Sequence, residues 1–148
     1  MRAFIASFFL LTNLIAYNQG DTIDDAMASH LGINGDKVYV VDFFASWCSS
    51  CKKELPLVSK ISADIDKNSV EIIGIGVDKD VKKGTAFQKR LGLNFRVIND
   101  PQNLIIEKFQ PIGMPTLYYV KNKKIIKIIT GAVDSIDEVI LRDLKEME

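Results

Sequence analysis

Two nearly continuous apolar runs mark the middle of the chain. They cover residues 38–44 and 70–77, and Asp42 interrupts the first of them. A short apolar run bounded by turn residues is typical of a strand that is buried on both faces. We therefore predict two central strands of a sheet at these positions.

Helical spacing follows the first run. Cys51, Leu55 and Val58 recur on one stripe of the predicted helix, so Cys51 is expected to face inward. Cys48 lies near the first turn, at the exposed N-terminal end. Pro56 lies inside the same helix and should kink it, because a proline ring removes one backbone hydrogen bond.

The remaining pattern alternates between short helices and strands. A first helix is predicted at 22–31, with Thr22 as its N-cap, and a last helix opens with a capping box of Ser135 and Glu138. Between them we predict a helix at 81–91, an extended segment at 95–98, a helix at 101–109 and a hairpin of strands at 116–120 and 125–130. This order predicts an α/β fold, a three-layer sandwich around a mixed sheet.

The N-terminal segment has a different character. Residues 3–16 form an apolar run without a charge, directly after Arg2. The run is shorter than the roughly twenty apolar residues that cross a bilayer, and it is interrupted by Thr12 and Asn13, so it is typical of a signal-peptide core. We expect residues 1–20 to be a signal peptide or a short N-terminal anchor and residues 21–148 to be one folded domain. Export would place that domain in an extracytoplasmic space such as the periplasm, soluble or anchored, where disulfides persist.

Composition and charge exclude several classes of function. The chain of 148 residues is 47% hydrophobic and 26% charged, which is ordinary for a globular protein. Nineteen basic and nineteen acidic residues leave a formal net charge of zero, so no overall field favours nucleic acid or an anionic membrane. We interpret the lysine cluster at 121–127 as a solvated hairpin loop. A nucleic-acid partner is not expected, and a membrane contact is expected only if the N-terminal segment is retained.

The only two cysteines, Cys48 and Cys51, carry the candidate chemistry. Two cysteines three residues apart at a helix start can close a small disulfide ring and reopen it. The N–H groups of the first turn and the helix dipole stabilise a thiolate on Cys48, which makes it the attacking sulfur. Cys51, behind it, would then resolve the mixed disulfide. This chemistry needs no cofactor, and Trp47 would cover one flank of the pair.

Two structural alternatives for the cysteines compete with this redox hypothesis. A permanent disulfide across so short a loop would constrain the unfolded chain little. A zinc site needs four ligands, and two thiolates do not complete it. His30 is the only histidine, and it lies on a different predicted helix.

The segment from Val40 to Pro56, which includes both cysteines, resembles the thioredoxin superfamily. It is more closely similar to the exported group that contains the TlpA/ResA-type thiol–disulfide oxidoreductases of cytochrome c maturation. Residues 113–116 match the loop whose cis-proline faces the redox pair in that family, and residues 81–101 resemble the insertion of the exported group. The resemblance covers about residues 36–148. It implies a thioredoxin-like α/β/α sandwich and a protein-disulfide reductase type of activity.

The chain departs from the family pattern at three places. The dipeptide between the cysteines is Ser49-Ser50, without the common proline, and this dipeptide tunes the reduction potential. The N-terminal strands of the TlpA/ResA type are shortened here to one helix. Asp42 stands where many members of the exported group carry asparagine.

Two acidic residues are candidates for proton transfer and redox tuning. Asp42 interrupts an apolar strand, and we interpret it as a buried proton acceptor for Cys51 with a pKa raised by desolvation. The alternative is an aspartate at a strand edge, bonded to backbone. Glu54 matches a glutamate that tunes the cysteines in the exported group; the alternative is an exposed acid favoured by the helix dipole.

Met114 and Pro115 are the candidate substrate-binding residues beside Trp47. The resemblance implies a cis bond between them, against the alternative of a trans proline that enters a strand. Proline offers no N–H, and the backbone of Met114 is left free to pair with an extended substrate segment. The side chain of Met114 is adaptable, which suits a hydrophobic partner.

The function predicted from these observations is disulfide exchange with exported proteins. The resemblance implies reduction of apocytochrome c or of other extracytoplasmic thiols. Another protein must reset the active site, because the chain has no second cysteine pair. Two alternatives stay open. One is a copper-binding metallochaperone of thioredoxin fold, whose relatives space their cysteines by three residues and add a downstream histidine. The other is a non-catalytic binding module.

Overall fold

Five helices and five strands alternate along residues 15–147, the part of the chain that this computed structural model describes. The first fourteen residues of the expected signal peptide lie outside that part. In chain order the elements are α1 (Asp25–Leu31), β1 (Val38–Phe44), α2 (Ser49–Asp64), β2 (Val70–Gly76), α3 (Val81–Leu91), β3 (Arg96–Asn99), α4 (Ile106–Phe109), β4 (Thr116–Lys121), β5 (Lys124–Thr130) and α5 (Ile136–Glu146).

The strands form one mixed sheet in the order β3-β2-β1-β4-β5. The first three strands in chain order run parallel, whereas β4 pairs antiparallel with both β1 and β5. Apolar residues of α1 and α4 pack on one face of the sheet, and those of α2, α3 and α5 pack on the other. The predicted three-layer α/β sandwich with a mixed sheet is confirmed.

Strand β1 is the middle strand, and all seven of its residues are buried. Tyr39, Val41 and Phe43 pack in the cluster that contains α1 and α4. Val40 and Phe44 point the other way and pack against α2. Because side chains alternate along a strand, Asp42 faces α2 between these two apolar residues. The apolar run therefore places a single carboxyl group beneath the helix that carries the cysteines.

Helix α1 begins later than the sequence indicated. Asp24 is the N-cap, and its carboxylate accepts a hydrogen bond from the Met27 N–H at 2.9 Å. The prediction of Thr22 as N-cap is wrong, since Thr22 forms an isolated bridge with Lys124 of β5. Gly32 ends the helix at φ 69°, in a conformation that favours glycine.

Helix α4 is much shorter than the predicted helix at 101–109. The carboxylate of Asp100 accepts hydrogen bonds from the N–H groups of Ile105 and Ile106, at 3.0 and 2.9 Å. These bonds to the buried aspartate hold the residues between it and the helix as turns. Helical geometry therefore starts only at Ile106. Local apolar spacing could not reveal this competing arrangement, because it depends on a side chain.

The start of α5 and the β4–β5 turn also differ from prediction. Ser135 has φ 53° and makes no side-chain cap bond, so the predicted capping box is wrong; an N-cap needs extended backbone. The predicted hairpin is present, but Lys121 pairs directly with Lys124. The turn is therefore only Asn122 and Lys123, both with positive φ, as two-residue hairpin turns require.

Tyr17 extends the packed structure into the expected signal segment. Its ring meets Phe109 edge-on, with 5.1 Å between the centroids, and its hydroxyl donates to the carboxylate of Asp24 at 2.6 Å. Over residues 15–147, no helix combines the length and apolar character needed to cross a membrane.

Candidate active site

The two cysteines lie where β1 passes into α2. Cys48 is the N-cap of α2, and its Sγ accepts a hydrogen bond from the Cys51 N–H at 3.1 Å. The two sulfurs form a disulfide, with the Cα atoms 5.3 Å apart. The structure is therefore the oxidised form. In the reduced form, the same N–H and the helix dipole stabilise negative charge on Cys48.

The two sulfurs differ in access. Cys51 is fully buried, whereas Cys48 keeps 8% of its surface exposed. Cys48 borders an open cleft of roughly 460 Å³, which is also lined by Trp47, Ser49, Ser50 and residues 111–114. A partner can therefore reach Cys48 from this cleft, and Cys51 can be reached only from within the protein. This asymmetry favours Cys48 over Cys51 as the attacking sulfur.

Trp47 and Met114 line the cleft, and Trp47 is 70% exposed. Pro115 follows Met114 and is buried, outside the cleft lining. The Met114–Pro115 bond is cis, as the resemblance implied. Among the described residues, no backbone hydrogen bond engages the peptide group of Met114, and the Pro115 carbonyl accepts from the Gly131 N–H at 2.8 Å. The loop is thus tied to the sheet on one side and open on the other.

Asp42 lies in the middle strand, on the face that α2 covers, and is fully buried. Neither carboxylate oxygen has a hydrogen-bond partner. Burial raises the pKa of this carboxyl well above its usual range, and the nearby Glu54 raises it further. The alternative of an edge aspartate bonded to backbone is excluded, because β1 is central and the carboxylate is unbonded.

Glu54 follows Cys51 by three residues on α2 and is only 4% exposed. Burial raises its pKa to about 7, and the Val133 N–H, which approaches the carboxylate without meeting hydrogen-bond geometry, offsets part of the shift. The alternative of an exposed first-turn acid is therefore wrong. The sequence could not distinguish the two, since the residues that cover Glu54 come from the loop between β5 and α5.

Asp78 is a site residue that the sequence analysis missed. This buried aspartate follows β2, and its carboxylate accepts hydrogen bonds from the N–H of Ser46, at 2.9 Å, and from the Ser46 hydroxyl. These bonds fix the loop that leads into Cys48. The available signal was an aspartate directly after the second apolar run, at the edge of the sheet where β1 also ends.

A metal centre has no geometric support in the described part of the chain. There, no three histidine, cysteine, aspartate or glutamate side chains lie close enough together to hold an ion. The copper-binding alternative therefore gains nothing from the structure.

The sequence matches known proteins along most of its length. Residues 18–129 match the AhpC/TSA family. Thiol-disulfide oxidoreductase ResA of Geobacillus thermodenitrificans is 29% identical over 141 residues, which is 89% of this chain and 79% of that protein. ResA of Bacillus subtilis is 26% identical over 102 residues, 68% of this chain and 56% of that relative, so the chain spans little more than half of it.

A solved structure agrees with these sequence matches. A secreted disulfide oxidoreductase from Mycobacterium tuberculosis superposes with a TM-score of 0.63 at 25% identity, and the match covers 74% of this chain and 81% of that one. The fold and the disulfide at the start of α2 are therefore those expected from the resemblance. The chain belongs to the AhpC/TSA family and, within it, to the thioredoxin-like TlpA/ResA-type group of thiol–disulfide oxidoreductases.

Proposed function

We propose that this protein reduces or exchanges disulfides of exported proteins, with Cys48 as the attacking thiolate and Cys51 as the resolving thiol. The observation that carries the proposal is the difference in access between the two sulfurs. Cys48 caps α2 and opens on the cleft, whereas Cys51 is sealed behind it. This arrangement supports one productive order of attack.

The disulfide exchange takes place in two steps, formation of a mixed disulfide and its resolution. The Cys48 thiolate attacks one sulfur of the partner's disulfide; a mixed disulfide forms, and the other partner sulfur leaves as a thiolate that takes a proton from solvent. Cys51 then gives up its proton and attacks the Cys48 sulfur, which breaks the mixed disulfide and releases the second partner thiolate. Two electrons pass to the partner, and the Cys48–Cys51 disulfide remains. A second protein with a free dithiol must reduce it again.

The two buried carboxyl groups serve the second step as proton acceptors. Cys51 is surrounded by apolar residues, among them Phe44 and Leu55, so its proton has no solvent to enter directly. Asp42 lies below it on β1, and Glu54 lies one turn along α2. Burial raises the pKa of Asp42 well above its usual range and that of Glu54 to about 7, so Glu54 can take up and return a proton near neutral pH.

The cleft would bind an extended segment of the partner next to its cysteine. The peptide group of Met114 has no partner within the described chain and is available for strand-like pairing. Trp47 and Met114 offer apolar contact in the cleft that Cys48 borders. A cleft with these groups binds the backbone and the apolar side chains of a partner, so it can accept many partner sequences.

The proposal includes an extracytoplasmic location and a role as reductant in cytochrome c maturation or general thiol reduction. The apolar run at 3–16 supports export, by a cleaved signal peptide or an uncleaved anchor within residues 1–20. One relative with the same fold is described as secreted. The assignment to cytochrome c maturation rests on the resemblance to the TlpA/ResA-type group.

Reduction of insulin by dithiothreitol tests the exchange activity of the full chain. We expect the wild type to accelerate it and Cys48→Ser to remove the acceleration. Cys51→Ser should accumulate mixed disulfides with exported proteins in a cell extract, visible as bands that disappear on reduction. Ser29→Ala, at an exposed position of α1 on the opposite face of the sheet, is the matched control and should keep the activity. Acceleration by Cys48→Ser at the wild-type rate would refute the assignment.

A further inference from the structure

One side of the sheet collects the buried polar atoms that lack a partner. In the range 15–147, no hydrogen bond reaches the carboxylate oxygens of Asp42 and Glu54 or the hydroxyl of Tyr119, whereas the buried carboxylate of Asp143 is ion-paired with Lys127. Asp42 and Tyr119 lie on the face of the sheet that α2 and α5 cover, and Glu54 and Asp143 are buried residues of those two helices. An unpartnered buried carboxylate is costly, and such groups point to a proton or ligand path.

A second cavity opens beside α2, separate from the substrate cleft. Its volume is roughly 220 Å³, and it shares only Ser50 with that cleft. Glu54 and Leu57 line it from α2, and residues 132–135 line it from the loop before α5. Glu54 is the buried group in this lining whose two oxygens have no partner. The space is sufficient for several water molecules, each of which needs about 30 Å³.

We infer that this cavity is the route by which the Cys51 proton exchanges with solvent, with Glu54 as the group that passes it on. The inference rests on the proposed function. When Cys51 attacks the mixed disulfide, its S–H proton moves to a buried carboxylate; from Glu54 it passes to water in the cavity and leaves beside residues 132–135. The proton path is thus separate from the place where the partner binds.

The geometry explains why a separate route is needed. In the mixed disulfide, the partner covers the cleft at Cys48, and Cys51 is fully buried behind it. A proton that had to leave through the cleft would wait for the partner to dissociate. The cavity beside Glu54 shares only Ser50 with that cleft, so a partner seated in the cleft need not cover it.

Charged and titratable groups face Glu54 from every neighbouring element. Asp42 faces it from β1 and Tyr119 from β4, and the pKa values of both are raised mainly by burial. Asp143 of α5 lies next to Tyr119 and is paired with Lys127 at 2.6 Å and with Arg142 at 3.4 Å. Lys53 and Asp134 line the cavity itself and contribute opposite charges. Glu54 thus exchanges its proton close to neutral pH.

Closing the cavity from its exposed rim tests the route. Ala132→Leu adds bulk at the rim, and Ala86→Leu makes the same change at an exposed position of α3 far from the cavity lining. Formation of the mixed disulfide is measured by rapid mixing in a Cys51→Ser background, and its resolution is measured with both cysteines present. We expect Ala132→Leu to slow resolution by about tenfold, a part of the roughly hundredfold or more that general acid–base catalysis contributes, and to leave formation unchanged. Ala86→Leu should change neither step.

The solvent isotope effect provides a second measurement. Resolution by Ala132→Leu should slow further in D₂O than resolution by the wild type, because proton exchange then limits the rate. Equal resolution rates for the two alanine variants, or equal slowing of both steps, would overturn the inference while leaving the exchange activity intact. If the wild type shows no disulfide-exchange activity, the proposed function itself is refuted. If Ala132→Leu fails to fold in urea titrations, Leu57→Phe closes the cavity from the helix and carries the same expectation.

Discussion

At the scale of single residues, Asp42 is a candidate functional side chain whose burial lowers the stability of the fold. Its carboxyl group has no hydrogen-bond partner in the middle of the sheet, and an asparagine or apolar residue would be easier to bury. A residue that lowers stability in this way is expected where chemistry requires it. Under the proposed function, this acid acts in the exchange reaction rather than in stabilising the fold.

Replacing this acid should stabilise the protein in a pH-dependent way. An acid whose pKa is raised by folding is neutral in both states at low pH; as the pH rises, the unfolded chain ionises first and the free energy of unfolding falls. We expect Asp42→Asn to raise the free energy of unfolding by about 2 kcal/mol at pH 8 and by much less at pH 4. Urea denaturation of the oxidised protein at both pH values measures the difference.

The control for this prediction is Asp36→Asn. Asp36 is exposed in the turn before β1, so the same chemical change should leave stability unaltered at both pH values. A gain for Asp42→Asn that is as large at pH 4 as at pH 8 would contradict ionisation as the cause. The variant should also resolve mixed disulfides more slowly than the wild type.

Glu54 should impose its own pH dependence on the exchange reaction. Its pKa of about 7 means that the carboxylate form, which can accept the Cys51 proton, becomes populated as the pH rises through neutrality. We expect the resolution rate of the wild type to rise through that range and Glu54→Gln to lack this step. Stopped-flow measurement from pH 5 to 9 tests it.

Glu71→Gln is the matched control for the glutamate variant. Glu71 is a partly exposed residue of β2 whose carboxylate pairs with Arg96 at 2.8 Å, away from the cysteines. Its variant should retain the wild-type pH profile. A step near neutrality that persists in Glu54→Gln would assign the titration to a different group.

At the scale of elements, the residues at the starts of helices show what the local sequence can predict and what depends on the path of the chain in three dimensions. Asp24 and Ser135 both precede helices and both belong to residue types that favour N-caps. Asp24 has extended backbone and caps α1, whereas Ser135 is held in a left-handed conformation and caps nothing. The residue types were informative in both cases, but the path of the chain decided which of them could act.

Removing the true N-cap should weaken the protein measurably. Asp24→Ala loses the bond to the Met27 N–H and the bond from the Tyr17 hydroxyl. We expect a loss of about 1–2 kcal/mol in the free energy of unfolding, measured by urea denaturation at pH 7. Thr22→Ala, which alters the originally predicted cap, should stay within about 0.5 kcal/mol of the wild type. A larger loss for Thr22→Ala would restore the first interpretation.

At the scale of the whole molecule, the two faces of the sheet have different tasks. The face under α1 and α4 is packed with apolar residues, including an aromatic group of Phe43, Phe109 and Tyr118. The face under α2 and α5 contains the cysteines and the unpartnered polar side chains. The first face stabilises the fold, and the second accommodates the chemistry.

Tyr17 ties the N-terminal segment to the stabilising face. Its edge-on contact with Phe109 and its bond to Asp24 should together contribute about 2 kcal/mol. We expect Tyr17→Ala in the full chain to lower the free energy of unfolding by that amount, as measured by urea denaturation. Ile15→Ala, at a side chain that is 73% exposed, should have little effect. Equal effects of the two variants would show that the segment does not pack as described.

The sequence by itself determined the chemistry and the fold class. Two cysteines at a strand-to-helix transition, two apolar runs and a proline before a strand are local signals, and each of them is readable within a few residues. The tertiary structure alone decided the burial of Glu54, the support of Cys48 by Asp78 and the second cavity. These features join segments that lie far apart along the chain, and residue spacing carries no information about which distant segment will cover a given side chain.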